Sequence, residues 1–490
     1  MSRPIEDYAL IGDRHTAALV GSNGSIDWLC VPRFDSPACF GALLGDEENG
    51  HWQLCPVGDY EVSRAYVPDS DALQTTFSTG SGVVTLLDVM PTGDDRIDVV
   101  RRLTGVKGTV RMHHEWVVRF EYGTAKPWIR RRQEDSENPA ITAVVGPDKL
   151  VLRGPRLPEA QGDRHVDDFE VREGDVLTFS TTWLPSHFRT PGPHRVMVDE
   201  TIHEEVTWVA RLDLTGVPHA DVVRRSLLTL HLMTHVDTGG IVAAPTTSLP
   251  EDFGGERNWD YRYCWLRDAA LTISALISAG ATDEARFWRD WLLRAVAGDP
   301  ADLQIMYAVD GARRLTELTL DDLPGYAGSR PVRIGNGAVQ QRQTDVVGEV
   351  MLALEAARES ELGQTEDAWN LQRVLIDHLA ETWEAPDNGL WEIRGPLRHF
   401  THSRVMVWVA FDRAVKAAER HDLDGEVGRW RDLRDRVRDE VMSQGFNTER
   451  NTFTQHYETT EVDASLLMLP LVGFVDADDP KMLGTVEAVE

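Results

Sequence analysis

The sequence predicts two parts, an N-terminal β-sandwich followed along the chain by an all-helical domain. Short β-branched segments bounded by turn residues run through the first 200 residues, with almost no helical periodicity. Beyond Thr201, apolar residues recur at helical intervals in one segment after another. Loops rich in Gly, Pro and aromatic residues separate these segments. That pattern is typical of helical hairpins whose long loops gather at one end and form a site.

The strand predictions depend on a few short segments. Residues 82–90 and 175–184 are β-branched, residues 141–145 and 149–154 flank a Gly-Pro-Asp turn, and residues 112–122 alternate in part. The helical predictions are 201–213, 220–236, 266–279, 283–297, 343–357, 365–382, 403–420 and 425–442. We therefore predict a β-sandwich domain at 1–200, a connecting helix at 201–219 and a helical domain at 220–490.

Composition excludes several classes of function. Fifty Lys and Arg against 80 Asp and Glu give a net charge of −30, which argues against nucleic acid and anionic membranes as partners. The four Cys have no metal-site spacing, and no segment is long and apolar enough to span a bilayer. The acidic N-terminal residues do not resemble a signal peptide, so we expect a cytoplasmic protein. A homo-oligomer is compatible with this composition.

Two segments carry the residue types of a sugar site. The first, residues 258–276, places Trp265, Arg267 and Asp268 at the start of an apolar helical run. An Arg beside an Asp offers donors and acceptors that match vicinal hydroxyls, and a nearby Trp gives a flat face for a pyranose ring. The alternative for this segment is a buried Arg–Asp pair that caps the helix.

The second segment, residues 387–414, contains Glu392 directly after Trp391 in a Gly-containing loop before a helix. An apolar wall raises the pKa of a neighbouring carboxyl, as a general acid working near neutrality requires. The alternative is a surface Glu paired with Arg394. A third segment, residues 325–345, is a long punctuated loop in which Arg330 and Arg333 either face a ligand or pin the loop.

These segments together resemble glycoside hydrolase family 15, the glucoamylase and trehalase family, in its bacterial branch. The resemblance begins with residues 7–44, continues through 258–271 and 325–338, and ends with 389–414 and 462–474. It implies an (α/α)6 barrel behind the β-sandwich. It also implies Glu392 as the general acid, Arg267 and Asp268 as the pair that holds the terminal glucose, and Trp265 as the aromatic wall beside it.

The resemblance further relates Arg333 to an Arg near the substrate entrance, and makes Trp391 part of the substrate-binding surface. Two departures matter. Ile393 stands where fungal glucoamylases have a second Glu, and no motif for the family's general base occurs before Glu490. We therefore expect an incomplete barrel in this chain, with the base beyond Glu490.

The implied function is an exo-acting, inverting α-glucosidase that releases β-glucose from trehalose or maltooligosaccharides, with a small carbohydrate as its partner. Neither a metal nor an organic cofactor is expected. A non-catalytic sugar-binding or scaffold protein that has lost the base is the alternative. A phosphorolytic enzyme is a third reading, and consumption of phosphate during turnover would favour it.

Overall fold

The computed structural model describes residues 2–92, 96–132, 139–190, 198–360 and 362–490. The chain forms two compact units. The first comprises Met1–Asp237, Val242–Tyr263 and Thr316–Asn336, and the second comprises Thr238–Ile241, Cys264–Leu315 and Gly337–Glu490. A β-sheet unit and a helical unit confirm the fold class predicted from the sequence. The predicted boundaries at residues 200 and 220 stay a prediction.

The first unit is built on two layers of antiparallel strands. Within the described ranges these strands are β1 Tyr8–Gly12, β2 Ala17–Gly21, β3 Ser25–Cys30, β4 Ala38–Phe40, β5 His51–Pro56, β6 Glu61–Tyr66, β7 Leu73–Thr79, β8 Gly82–Val89, β9 Ile97–Val117, β10 Trp128–Arg132, β11 Ala140–Val145, β12 Asp148–Arg153, β13 Glu159–Gln161, β14 Arg164–Arg172 and β15 Val176–Pro185. One layer has the order β1-β2-β3-β5-β9-β14-β13, and the other has the order β6-β7-β8-β9-β15-β12-β11-β10.

The long strand β9 belongs to both layers. Its first half pairs with β8 and β15, and its second half pairs with β5 and β14. A register shift between Val83 and Val84 lies opposite the middle of β9, where the strand passes from one layer to the other. The sequence indicated strands in this region but not a single strand of 21 residues.

One apolar core fills the space between the layers. Because side chains alternate along a strand, each layer turns every second residue inward. The core includes Ile26, Leu54, Met112 and Phe169 from one layer and Phe77, Leu86, Leu103, Leu150 and Phe179 from the other. Helices α1 (Val198–Val209) and α2 (Ala220–Leu232) complete the first unit, together with short two-stranded ladders, Thr247–Pro250 with Asn258–Asp260 and Leu318–Thr319 with Arg333–Ile334.

The second unit is mainly helical. Its described helices are α3 Leu266–Ser278, α4 Thr282–Ala295, α5 Asp345–Glu359, α6 Glu366–Thr382, α7 Thr401–His421, α8 Val427–Gln444, α9 Met468–Leu471 and α10 Pro480–Val489. It also has the short ladders Cys264–Trp265 with Met306–Tyr307 and Phe446–Asn447 with Thr452–Phe453. The six longest of these helices fall within two residues of the sequence predictions at both ends. No helix in the described ranges is long and apolar enough to cross a membrane.

Helix α7 lies at the centre of the second unit. Seventeen of its 21 residues are buried, so other elements cover it on all sides. It contacts α5, α6 and α8, and the contact with α5 is close because Gly348 has no side chain. A Cβ at Gly348 would lie 2.3 Å from the carbonyl oxygen of Met406 in α7. This close contact fixes the starts of α5 and α7 next to each other.

Candidate active site

The predicted site residues of the second unit lie in the first turn of α3, just before that helix, or in the loop that leads into α7. Arg267 and Asp268 are in the first turn of α3, with Trp265 just before it. Glu392 is in the loop that leads into α7, and Asp345 opens α5. The positive end of a helix dipole favours carboxylates in the first turn, and Asp268 and Asp345 both lie there.

Glu392 contacts two of the residues predicted with it. Its Oε1 accepts a hydrogen bond from Nε1 of Trp265 at 2.5 Å and lies 3.6 Å from Nη2 of Arg267. Its main-chain carbonyl accepts a hydrogen bond from Nε2 of Gln341 at 3.0 Å. The side chain is 19% exposed, which contradicts the alternative of a surface Glu. The structure therefore holds this carboxyl in one position while leaving it accessible.

The backbone at Glu392 is strained, because its φ is 55°, in the left-handed region. A residue with a side chain pays about 1–2 kcal/mol for that conformation. Gly389 also has a positive φ, of 69°, and a Cβ there would lie 2.8 Å from the Phe400 ring. The loop thus adopts a tight, unfavourable path that turns the Glu392 carboxyl toward Trp265.

The surroundings of Glu392 are suited to an acid. Desolvation raises the pKa of Glu392, and the Arg267 guanidinium and the Trp265 N–H oppose that shift only in part. Both donors approach Oε1. A proton on the same oxygen would compete with them, so the carboxyl proton belongs on Oε2. Oε2 is therefore the oxygen that carries the proton when this carboxyl is protonated.

Arg267 is the cation at the centre of an acidic cluster. Its Nη1 donates to Oε1 of Gln343 at 2.9 Å and to Oδ2 of Asp345 at 3.3 Å, and its Nε lies 3.8 Å from Oδ2 of Asp268. The Arg267 side chain is 12% exposed, whereas the Asp268 side chain is 44% exposed. Asp268 therefore has carboxylate surface free for a ligand, while Arg267 is fixed mainly by protein contacts.

One further acid, Glu349, lies one helical turn after Asp345 in α5. Burial, and then the charge of Asp345, raise the pKa of Glu349 to about 8. Glu349 is thus largely protonated at neutral pH. Its proton limits the negative charge around Arg267, which already faces Asp268, Asp345 and Glu392.

Trp391 has a different environment from its neighbour Glu392. Its side chain is one of the exposed large apolar groups, at 57%, and its Nε1 donates to Oδ2 of Asp463 at 2.8 Å. Asp463 is half-buried and also accepts from the main-chain N–H of Ser465 and from Gln455. Trp391 therefore presents an aromatic face to solvent while its nitrogen is held by a carboxylate.

Arg333 belongs to the first unit. Its guanidinium stacks 4.4 Å from the centre of the Trp259 ring, donates to the carbonyl of Glu256 and lies 3.5 Å from Oε1 of Glu317. These contacts favour the interpretation in which Arg333 pins its loop. The first half of the aromatic segment is also structural, because Arg262 forms a buried ion pair with Asp260 at 2.7 Å.

Several residues of this cluster were not singled out from the sequence. They are Gln341, Gln343, Asp345, Glu349 and Asp463. Gln341, Gln343 and Asp345 lie at the end of the loop 325–345, and Glu349 lies in the predicted helix 343–357. Asp463 lies in the segment 462–474, which was noted only for its resemblance to the family. In the part of the chain that the structure describes, no group of three His, Cys, Asp or Glu side chains is placed to hold a metal ion.

Comparison with known proteins gives a consistent result. The sequence profile of glycosyl hydrolases family 15 matches residues 217–490, and a trehalase-like N-terminal profile matches residues 1–156. A trehalase of Mycolicibacterium smegmatis is 34% identical over 515 residues, covering 99% of this chain and 76% of that protein. A trehalase of Thermoplasma volcanium is 32% identical over 510 residues, covering 99% of this chain and 78% of the relative.

The fold also has a relative among solved structures. A bacterial glucoamylase complexed with acarbose matches all of this chain and 78% of its own, with a TM-score of 0.67 and 13% sequence identity. At that identity the likeness concerns the fold alone. It confirms the predicted order of a β-domain followed by helices of the (α/α) barrel type.

Proposed function

The chain belongs to glycosyl hydrolases family 15 and is a glycoside hydrolase, and from this premise we propose an exo-acting α-glucosidase that releases β-glucose with inversion. The observation that carries this proposal is the Glu392 carboxyl, held at 2.5 Å by Trp265 beside the Arg267 guanidinium. A carboxyl with a raised pKa whose described contacts leave Oε2 without a hydrogen bond is suited to protonating a glycosidic oxygen.

In this mechanism some residues bind the substrate and another transfers a proton. Asp268 accepts hydrogen bonds from hydroxyls of the terminal glucose, while Arg267 positions Asp268 and Glu392 through its charge. Oε2 of Glu392 gives its proton to the glycosidic oxygen as the C1–O bond breaks. Water attacks C1 from the opposite face and loses a proton to a second carboxylate, about 6.5–9.5 Å from Glu392 in an inverting enzyme. We assign no residue to that role.

Trehalose and maltooligosaccharides are the proposed substrates. The similarity to two proteins named trehalase, at 34% and 32% identity, favours trehalose. Both substrates have an α-linked terminal glucose, so the same acid and the same glucose contacts serve either one. They differ only in the leaving group, which lies beyond the oxygen that Glu392 protonates.

The test is hydrolysis of trehalose and of maltotriose, followed by NMR during the first turnovers so that mutarotation does not hide the product. We expect β-glucose to appear first. First-formed α-glucose would contradict inversion. Glucose 1-phosphate formed with consumption of phosphate would contradict hydrolysis. Binding of glucose without turnover of either substrate would favour a non-catalytic sugar-binding protein.

A further inference from the structure

The acid loop, residues 387–400, is held on its inner side by a buried carboxylate. Oδ2 of Asp387 accepts hydrogen bonds from the main-chain N–H and the hydroxyl of Thr344, at 3.0 and 2.8 Å. Oδ1 of Asp387 accepts from the N–H of Gly389 at 3.1 Å. The main chain of Asp387 also exchanges two hydrogen bonds with Arg398, which closes the base of the loop. These contacts fix where the loop begins and ends.

The outer side of the acid loop is held through Trp391. This side chain is more than half exposed, so apolar burial does little to fix its orientation. Its indole N–H nevertheless reaches Oδ2 of Asp463, 72 residues further along the chain, at 2.8 Å. A hydrogen bond to an ionised carboxylate is roughly twice as strong as a neutral one. This single contact therefore ties the tip of the loop to another element of the second unit.

Asp463 is well placed to act as an anchor. It is the N-cap of the short 3-10 helix Ala464–Leu467, where its Oδ1 accepts from the N–H of Ser465 at 2.7 Å. Its Oδ2 also accepts from Nε2 of Gln455 at 3.0 Å. Desolvation alone would raise the pKa of Asp463, but the hydrogen bonds from Ser465, Gln455 and Trp391 outweigh it and lower the pKa. Asp463 is thus an ionised acceptor fixed by its own helix.

The position of Trp391 matters because the next residue is the strained one. Glu392 has a positive φ of 55°, and such a conformation persists only where its surroundings enforce it. The hydrogen bond from Gln341 to the carbonyl of Glu392 enforces it on one side, and the tie from Trp391 to Asp463 enforces it on the other. Release of Trp391 would let the loop relax and carry the Glu392 carboxyl away from Trp265.

We propose that Asp463 is a positioning residue for catalysis, which sets the place of the Glu392 carboxyl by holding the indole N–H of Trp391. The inference rests on the proposed function, because the residue that Asp463 positions, Glu392, is the proton donor of that reaction. It also gives a function to the 462–474 segment, for which the sequence indicated no chemistry.

The hydrogen bond between Trp391 and Asp463 can be removed by a substitution at either residue. In Asp463→Asn, the amide oxygen still accepts from Ser465 and keeps the N-cap, but the amide nitrogen cannot accept from Trp391. In Trp391→Phe, the aromatic face stays and only the N–H is lost. Both changes remove the hydrogen bond between Trp391 and Asp463, and Asp463→Asn also removes the one from Gln455. Asp479→Asn is the matched control, because Asp479 is an N-cap of α10 that accepts only from its own helix start in the described contacts.

The measurement compares two substrates that differ in their need for an acid. Trehalose has a sugar hydroxyl as its leaving group and needs protonation, whereas α-glucosyl fluoride loses fluoride with little help from an acid. We expect Asp463→Asn and Trp391→Phe each to lower kcat/KM for trehalose roughly 10- to 100-fold and for α-glucosyl fluoride less than about threefold. The double variant should be no worse than Asp463→Asn alone, and Asp479→Asn should match the wild type.

Equal losses on the two substrates would overturn the inference, because they would mean a general structural role for Asp463. Full activity of Asp463→Asn on trehalose would overturn it as well. Glu392→Gln tests the premise separately, since it must itself lose far more activity on trehalose than on the fluoride. If Glu392→Gln loses both equally, the proposed acid is wrong and the inference fails with it.

Discussion

Trp265 donates its indole N–H to Oε1 of Glu392 at 2.5 Å, across 127 residues of sequence. Trp265 immediately precedes α3, and Glu392 lies in the loop before α7, so this contact connects the starts of two helices. The carboxyl is held by the protein before any substrate binds, which is the preorganisation that general acid catalysis requires. The hydrogen bond also lowers the pKa of the carboxyl.

Replacing Glu392 by Gln should remove the proposed acid while keeping the shape of the side chain. We expect kcat for trehalose to fall roughly 10²- to 10⁴-fold, since that is the usual contribution of a general acid. Thermal unfolding should change little. The matched control is Glu449→Gln at an exposed position of the same unit, and wild-type activity of the Glu392 variant would contradict the assignment.

Trp265→Phe should shift the pH dependence of the reaction upward. The Trp265 N–H stabilises the ionised carboxylate and so lowers the pKa of Glu392, and its loss raises that pKa. A general acid works when protonated, so the alkaline limb of kcat/KM should move to higher pH by roughly one unit. The measurement is a pH profile of trehalose hydrolysis from pH 5 to 9.

Trp291→Phe is the control for that profile. Trp291 is buried in α4 and donates its indole N–H to the carbonyl of Val309 at 2.9 Å. The same substitution therefore removes a hydrogen bond of the same kind away from Glu392. An alkaline limb that moves equally in both variants, or downward in Trp265→Phe, would be inconsistent with the proposed role.

Glu349→Gln should stabilise the protein, and more so at higher pH. The pKa of Glu349 is about 8 in the fold against 4.5 for an unperturbed Glu, so the folded state binds this proton more tightly than the unfolded state. The stabilisation that this proton gives to the folded wild type is therefore lost progressively as the pH rises from 4.5 to about 8. Gln cannot ionise, so above pH 8 the free energy of unfolding of the variant should exceed that of the wild type by on the order of a few kcal/mol.

The measurement for Glu349→Gln is urea unfolding at pH 5 and pH 8.5, beside Glu449→Gln. The difference in unfolding free energy between variant and wild type should be larger at the higher pH. A difference that is independent of pH would mean that Glu349 does not titrate as described.

Gly348→Ala should destabilise the helical unit, because its Cβ would lie 2.3 Å from the carbonyl oxygen of Met406. Overpacking of this kind costs about 1–3 kcal/mol. Gly428→Ala in α8 is the matched control, since no described atom beyond its chain neighbours and its own helix backbone lies within 4 Å of the added Cβ. Ala is the better helix former, so the control should not destabilise the protein. Thermal unfolding checks both, and equal melting temperatures would contradict the close contact.

Much of this fold could be predicted from the sequence, because the patterns that indicate helices and strands are local. Helices α3, α5 and α7 have apolar residues at helical spacing, and their observed ends agree closely with the prediction. The pairing of Glu392 with Trp265 and Arg267 was expected only through the family resemblance. The residues alone left both motifs open to structural interpretations.

The remaining contacts were not accessible because they depend on tertiary packing. Nothing in the sequence near Trp391 indicates that its N–H reaches Asp463, 72 residues away. Nothing near Glu349 indicates how deeply α5 is buried, and burial is the main cause of its raised pKa. Short periodic patterns likewise did not reveal that residues 97–117 form one strand.

That strand, β9, has a consequence for how the N-terminal unit comes apart. Each half of β9 is a central member of a different layer, so neither layer keeps its hydrogen-bond ladder if β9 detaches. The two layers should therefore melt as one cooperative block, and their slowest-exchanging amide protons should lose protection at the same free energy.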